Sequence, residues 1–135
     1  MKKDIEFPTV EGVQIAITRH QDELGEYEWE VYLLNLNTFD LNNILITSKG
    51  YSSKDAKEEQ KTSTLRHMIP FLESHNYALV EIIQPDVFHL CNEFWVSYYV
   101  ANKIHDKKFI FMPDSIIEDN LRRIEMLERE GILHS

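Results

Sequence analysis

Cysteine is nearly absent: Cys91 is the only one, so no intrachain disulfide can form and a reducing compartment suits the chain. Glycine is also sparse, and Gly12, Gly25, Gly50 and Gly131 lie too far apart to build the phosphate-cradling turn of a P-loop or a dinucleotide fingerprint. No apolar run approaches the roughly eighteen residues of a membrane span. The opening Met1-Lys2-Lys3-Asp4-Ile5-Glu6 leads into no apolar signal core, so a cytoplasmic protein without membrane attachment is expected. Positive charge is scarce, with 14 Lys and Arg against 23 Asp and Glu. The resulting net charge of −9 repels a polyphosphate backbone and disfavours nucleic acid as a partner.

Metal and nucleophile signatures are missing too. The six histidines, His20, His67, His75, His89, His105 and His134, are scattered, and neither a Cys-x-x-Cys nor a His-Glu-x-x-His spacing occurs. His89-Leu90-Cys91 is the nearest thing to a ligand pair, and its side chains diverge on a short helix. No metal and no cofactor are therefore expected, and Cys91 reads as a small buried hydrophobe. Glu28 and Glu30, two apart on a strand, read as a solvated face rather than a hydrolytic carboxylate pair.

What is present is a 135-residue chain with 43% hydrophobic residues, enough for one domain around one core. Its organising stretch runs from Asn92 to Met112, where aromatic and β-branched residues flank Ala101-Asn102-Lys103. The pattern predicts a β-hairpin. A turn at Asn102-Lys103 sets Phe94 against Phe111 and Val96 against Phe109; a turn one residue earlier sets Val96 against Lys107. The first register is preferred because it makes one face apolar.

Alternation predicts further strands over Val10–Arg19, Tyr27–Leu36, Ile44–Ser48, Lys61–His67 and Tyr77–Ile83. Trp29 can plug a sandwich core, and Gly50 is expected to end its strand. The Asn/Asp cluster from Asn35 to Asn43 reads as a hairpin-like reversal, residues 51–60 as a mobile loop or solvated helical turn, and Pro85–Cys91 as a short helix. Pro70 argues against a central strand, with a helical turn or corner over Phe71–Asn76. At the end, Ser115-x-x-Glu118 has capping-box spacing, Ile117, Leu121, Ile124 and Leu127 form a helical stripe, and Gly131 suits a terminator. An α-helix is expected at about 115–130, supported by acid-before-base pairs such as Glu125 with Arg129. The expected fold is thus an all-β, roughly seven-stranded antiparallel sandwich, Ig-like in topology, with that C-terminal helix; α+β is the fallback.

Ile5-Glu6-Phe7-Pro8, Ile46-Thr47-Ser48-Lys49-Gly50-Tyr51, Lys61–His67, Trp95-Val96-Ser97-Tyr98-Tyr99 and Asp106–Phe111 together resemble a family of small uncharacterised bacterial proteins, often labelled phenylalanyl-tRNA synthetase alpha subunit. The label implies ATP-dependent aminoacylation. The chain is far too short for a class II catalytic domain and matches none of its Arg-bearing motifs, so the resemblance carries no activity and no site residues.

Arg66, His67, His105, Asp106, Lys107 and Lys108 form the set from which a polar binding site is assembled, with no catalytic roles assigned. The expected function is a non-enzymatic protein-interaction module, contacting another chain or a second copy through the terminal helix or an exposed edge. The alternative is an RNA- or translation-associated domain using the bases between Lys49 and Arg66 and between Lys103 and Lys108. A third reading, an enzyme at His67, His105 and Asp106, requires those side chains to converge.

Overall fold

In the computed structural model, which describes residues 10–135, two antiparallel sheets face each other across a common core. The leader reading over Met1–Glu6 and the Ile5–Pro8 segment lie outside the described residues. The strands are β1 (Val13–Gln21), β2 (Tyr27–Asn35), β3 (Leu41–Tyr51), β4 (Leu65–Leu72), β5 (Asn76–Ile82), β6 (Cys91–Val100), β7 (Lys103–Phe111), β8 (Arg122–Ile124) and β9 (Arg129–His134). One sheet has the order β5-β2-β1-β9-β8, the other β4-β3-β6-β7. Period-two alternation sends Ile15, Ile17, Val31 and Leu33 of the first sheet against Ile44, Ile46, Phe94, Val96 and Phe109 of the second. All are essentially inaccessible to solvent, and each contributes roughly 2 kcal/mol by leaving water.

The β6–β7 hairpin takes the other register: Val96 pairs with Lys107 and Phe94 with Phe109. The turn residues are Ala101 and Asn102, both at positive φ (48° and 66°), the pair of conformations that matches the right-handed twist of the flanking strands. Turn geometry therefore overrides the gain from an all-apolar face. Lys107 lies with its ammonium 5.2 Å from the Phe109 ring on an edge strand, where an inward charge opposes further strand addition.

The C-terminal helix does not form. Residues 118–120 make one 3₁₀ turn, and β8 and β9 form a hairpin that adds to the free edge of β1, Ile17 opposite Ile132 and Thr18 opposite Gly131. The helical stripe is split accordingly: Ile124 and Leu127 are buried with Ala16, Tyr32 and Leu34 in a second small cluster, while Ile117 stays exposed. The proposed i,i+4 pairs give way to distant ones, Glu118 with Arg19 and Arg129 with Glu30. The reason is hydrogen-bond demand. β1 is buried on both faces, so its outer-edge amides and carbonyls need backbone partners that a helix cannot supply.

Smaller differences follow the same logic. Gly50 continues β3 instead of ending it, and Pro70 lies within β4, which is an edge strand and tolerates a missing donor. Of the short helix expected over Pro85–Cys91, only Pro85–Val87 forms, as a 3₁₀ turn, and Cys91 opens β6. Asn35 is fully buried; its amide nitrogen bonds the carbonyls of Phe39 (2.9 Å) and Glu73 (3.1 Å), tying the end of β2 to the β4–β5 corner.

Gly131 marks the closest approach in the molecule's C-terminal hairpin: a Cβ there would stand 2.7 Å from the Ile17 carbonyl oxygen and 2.8 Å from Ile124 Cδ1. Gly131→Ala is expected to cost roughly 2–3 kcal/mol, read by urea unfolding. Gly25→Ala, which meets open space at positive φ, is expected to lose only about 1 kcal/mol. Equal losses would show that β9 does not pack against β1 as described.

Candidate functional site

Among the described residues each sheet ends in an unpaired edge on the same side of the molecule, β4 in one and β5 in the other. Between them lies a cleft of about 300 Å³ walled by Leu65, Ile83, Val87 and Phe94. A β-bulge shapes its chemistry. Val31 pairs with Glu81 but Tyr32 with Leu79, so Val80 is an extra residue in β5, and both Val80 and Glu81 turn towards the space between the sheets. Strict alternation would have sent Glu81 outward. The Ser48 hydroxyl on β3 donates to Glu81 Oε1 at 2.5 Å, and His67 Nε2 on β4 stands 3.0 Å from the same oxygen. Oε2 has no partner among the described residues. The carboxylate sits between hydroxyl and imidazole, so the set lacks the order of a serine nucleophile, in which imidazole takes the hydroxyl proton.

Of the six residues singled out in the sequence, His67 alone lines up with this carboxylate. Arg66 points to the opposite face of β4, as alternation demands. His105 lies across the sheet on β7, stacked on Tyr98 at 5.2 Å, and Asp106 and Lys108 face outward beside it while Lys107 faces inward. β4 and β7 are opposite edges of one sheet, so His67, His105 and Asp106 do not converge and the enzyme reading built on them falls.

The outer face of β4-β3-β6-β7 is a second candidate. Its cross-strand rows read Phe71-Asn42-Tyr99-Ile104, Met68-Leu45-Ser97-Asp106 and Arg66-Thr47-Trp95-Lys108. Six large apolar side chains are 38% to 71% exposed here, from Leu45 to Met68. Lys108 lies 5.2 Å over the Trp95 ring, and both Lys49 and Lys108 approach the buried Glu93 carboxylate, at 3.6 and 4.0 Å. Arg66 has no carboxylate partner among the described residues.

A third cluster was invisible in the sequence. Glu30 is not solvated: it is 7% exposed on the other face of β2, accepts a hydrogen bond from Arg129 of β9, and has His20 Nδ1 at 2.9 Å, off the line of a hydrogen bond. Arg129 also donates to the Tyr32 hydroxyl at 2.8 Å. Among the described residues, His20, Glu28 and Glu30 bring possible metal-ligand atoms within 4.8 Å of one another. Arg129 already occupies Glu30, so the arrangement is that of a charge-compensated ion pair. The partners are 99 residues apart, and only the unforeseen β9 pairing brings them together.

Burial pushes the Tyr98 phenol up to about 12, and burial with the neighbouring Glu93 carboxylate does the same for Tyr51, whose hydroxyl donates to Glu93 at 3.0 Å.

Comparison with protein-family models, with curated proteins and with solved structures finds no match to the chain.

Below pH 10 these two phenols are neutral in both folded and unfolded chains, so their contribution is fully present there. It is lost as pH rises from about 10 to about 12, where the unfolded chain ionises first. Stability is expected to fall across that window, with a shallower fall in Tyr98→Phe, read by denaturant midpoints at each pH; an unchanged slope would contradict the burial of this phenol. Arg129→Met leaves the Glu30 charge buried and unpaired and is expected to cost roughly 3 kcal/mol, most of it recovered when Glu30→Gln is added. A loss that the second substitution does not reduce would place Arg129 in packing alone.

Proposed function

We propose that the chain is a non-enzymatic protein-contact module that binds an acid-flanked apolar surface of another protein through the outer face of β4-β3-β6-β7. One observation carries this reading: the exposed apolar residues on that face are neighbours in register, not scattered singles, and none of the described residues covers them, whereas the C-terminal hairpin covers part of the opposite outer face. Trp95 and Tyr99 near its middle are the residue types that dominate contact energies.

Charge selects the partner. Lys49, Arg66 and Lys108 outnumber Glu93 and Asp106 on this face of a chain that is −9 overall. A second copy would bring an excess of cations against cations, while an acidic surface would complement them. The same arithmetic weighs against RNA: two of the three cations lean on Glu93, so few phosphates can be neutralised. The strand order supports an Ig-like reading of the fold, since β5-β2-β1 opposite β4-β3-β6-β7 follows the sequence of strands E-B-A against C′-C-F-G, with β9 and β8 added beside the first strand. No helix among the described residues is long and apolar enough to cross a membrane. The buried free thiol of Cys91 suits the cytoplasmic reading.

The test uses the full chain as immobilised bait beside Trp95→Glu, Arg66→Glu and Leu24→Glu, the last altering an 88% exposed residue in the β1–β2 turn. A protein retained by the wild type and Leu24→Glu, purified, shown to be acidic at its contact and bound at least tenfold more weakly by Trp95→Glu and Arg66→Glu, is the expected result. If no protein distinguishes the wild type from Trp95→Glu, the proposal fails. Binding of tRNA that is lost in Trp95→Glu and weakens steeply with salt would replace it with the RNA reading.

A further inference from the structure

We propose that the cleft between β4 and β5 is a binding site for an organic cation, an ammonium or guanidinium group on a small apolar body, with Glu81 as its anchor. The inference is independent of the outer-face contact. Glu81 lines the cleft because of the β5 bulge, and Ser48 and His67 fix its orientation by engaging a single oxygen, Oε1. The remaining oxygen is the strongest acceptor the cleft offers. A second acceptor stands nearby in the lining. Asn92 is buried, and its Nδ2 donates to the carbonyls of Val87 (3.0 Å) and Leu90 (3.1 Å), which leaves Oδ1 to receive a donor.

Of the side-chain donors in the lining, those of Ser48, Lys49, Thr62 and Asn92 are engaged, and the Ser63 hydroxyl and Gln84 amide remain to meet a ligand acceptor. Thr62 Oγ1 accepts from the Gly50 amide at 2.8 Å and donates to the Ser63 carbonyl at 2.9 Å. Lys49 lies 3.6 Å from Glu93, drawn to the outer face of the sheet and away from Glu81. Asp86 adds a second carboxylate to the rim. A lining with open acceptors, two acids and few free donors complements a ligand that is all donors, and the −9 charge of the chain raises the local concentration of cations. Leu65, Ile83, Val87 and Phe94 supply apolar walls that a bare inorganic cation would not use, and about 300 Å³ suits a body of one ring or a short alkyl chain. The cation can belong to a free amine or to a basic side chain of a peptide.

Benzamidine is the probe, and benzamide, of the same shape without the charge, is its control. Saturable one-to-one binding of benzamidine by calorimetry is expected, at least tenfold tighter than benzamide. Glu81→Gln is expected to weaken it at least tenfold, Ser48→Ala by a few-fold through lost orientation, and Trp95→Glu not at all, which separates failure here from failure at the outer face. N-acetyl-arginine amide binding better than benzamidine would assign the site to peptides; the reverse would assign it to free amines. Should Glu81→Gln lose its cooperative melt, Ile83→Trp, which fills the cleft and leaves the carboxylate in place, takes over as the variant that abolishes binding. Equal binding of benzamide, no loss in a folded Glu81→Gln or in Ile83→Trp, or no saturation below about 10 mM would overturn the proposal.

Discussion

A strand buried on both faces cannot leave an edge bare, and β1 is such a strand. Its inward Ile15 and Ile17 and its outward Ala16 and Thr18 are all fully buried. With no water on either side, every unpaired amide along its outer edge would carry a desolvation cost of roughly 1–3 kcal/mol. Pairing with β2 satisfies one side; the chain's last residues must satisfy the other. The turn between β8 and β9 then folds Ile124 and Leu127 over Ala16, Tyr32 and Leu34, so the same hairpin that completes the sheet also covers much of its outer face. Among the described residues no equivalent segment covers the other sheet, whose outer face exposes Trp95, Tyr99 and Met68.

What could be read from the sequence was whatever depends on neighbours in the chain. Alternation located β1, β2, β5 and the β6–β7 hairpin to within a few residues, because one wet and one dry side print a period of two. The Asn/Asp cluster marks a change of direction, but not the expected hairpin: β2 crosses there to β3 in the opposite sheet, and Asn35 and Asp40 anchor the β4–β5 corner, where the Ser74 amide donates to Asp40 at 2.9 Å. The final twenty or so residues misled because their local signals are consistent with one another: capping box, stripe and charge pairs all favour a helix, and only the distant demand of β1 decides otherwise. Glu30 was misread for the same reason, since its partner Arg129 reaches it only through β9.

Glu81 shows how a site can lie in plain view and still be missed. In a regular strand it belongs on the wet side, an acid between Val80 and Ile82, and nothing local announces the extra residue in β5. The bulge is a property of the pairing between β2 and β5, not of either strand. Its effect is to place an acid where Ser48 and His67 already face inward, at the side of the molecule where the edge strands β4 and β5 lie beside each other without pairing. The chemistry of His67 is legible in the sequence but its neighbours are not: its partner is 14 residues away on the other sheet, in place of His105 and Asp106.

The two candidate surfaces share strands but not side chains. On β3, Ser48 faces the cleft while Thr47 and Lys49 face the open sheet; on β6, Phe94 walls the cleft while Trp95 lies in the row beyond it. Alternation thus places each pair back to back across a single backbone thickness. A strand transmits little rotation between its faces when both of its edges are paired, as they are for β3 and β6. Occupancy of the cleft and contact at the open face should therefore be close to additive, with any coupling confined to β4, the edge strand that gives His67 to one and Arg66 to the other.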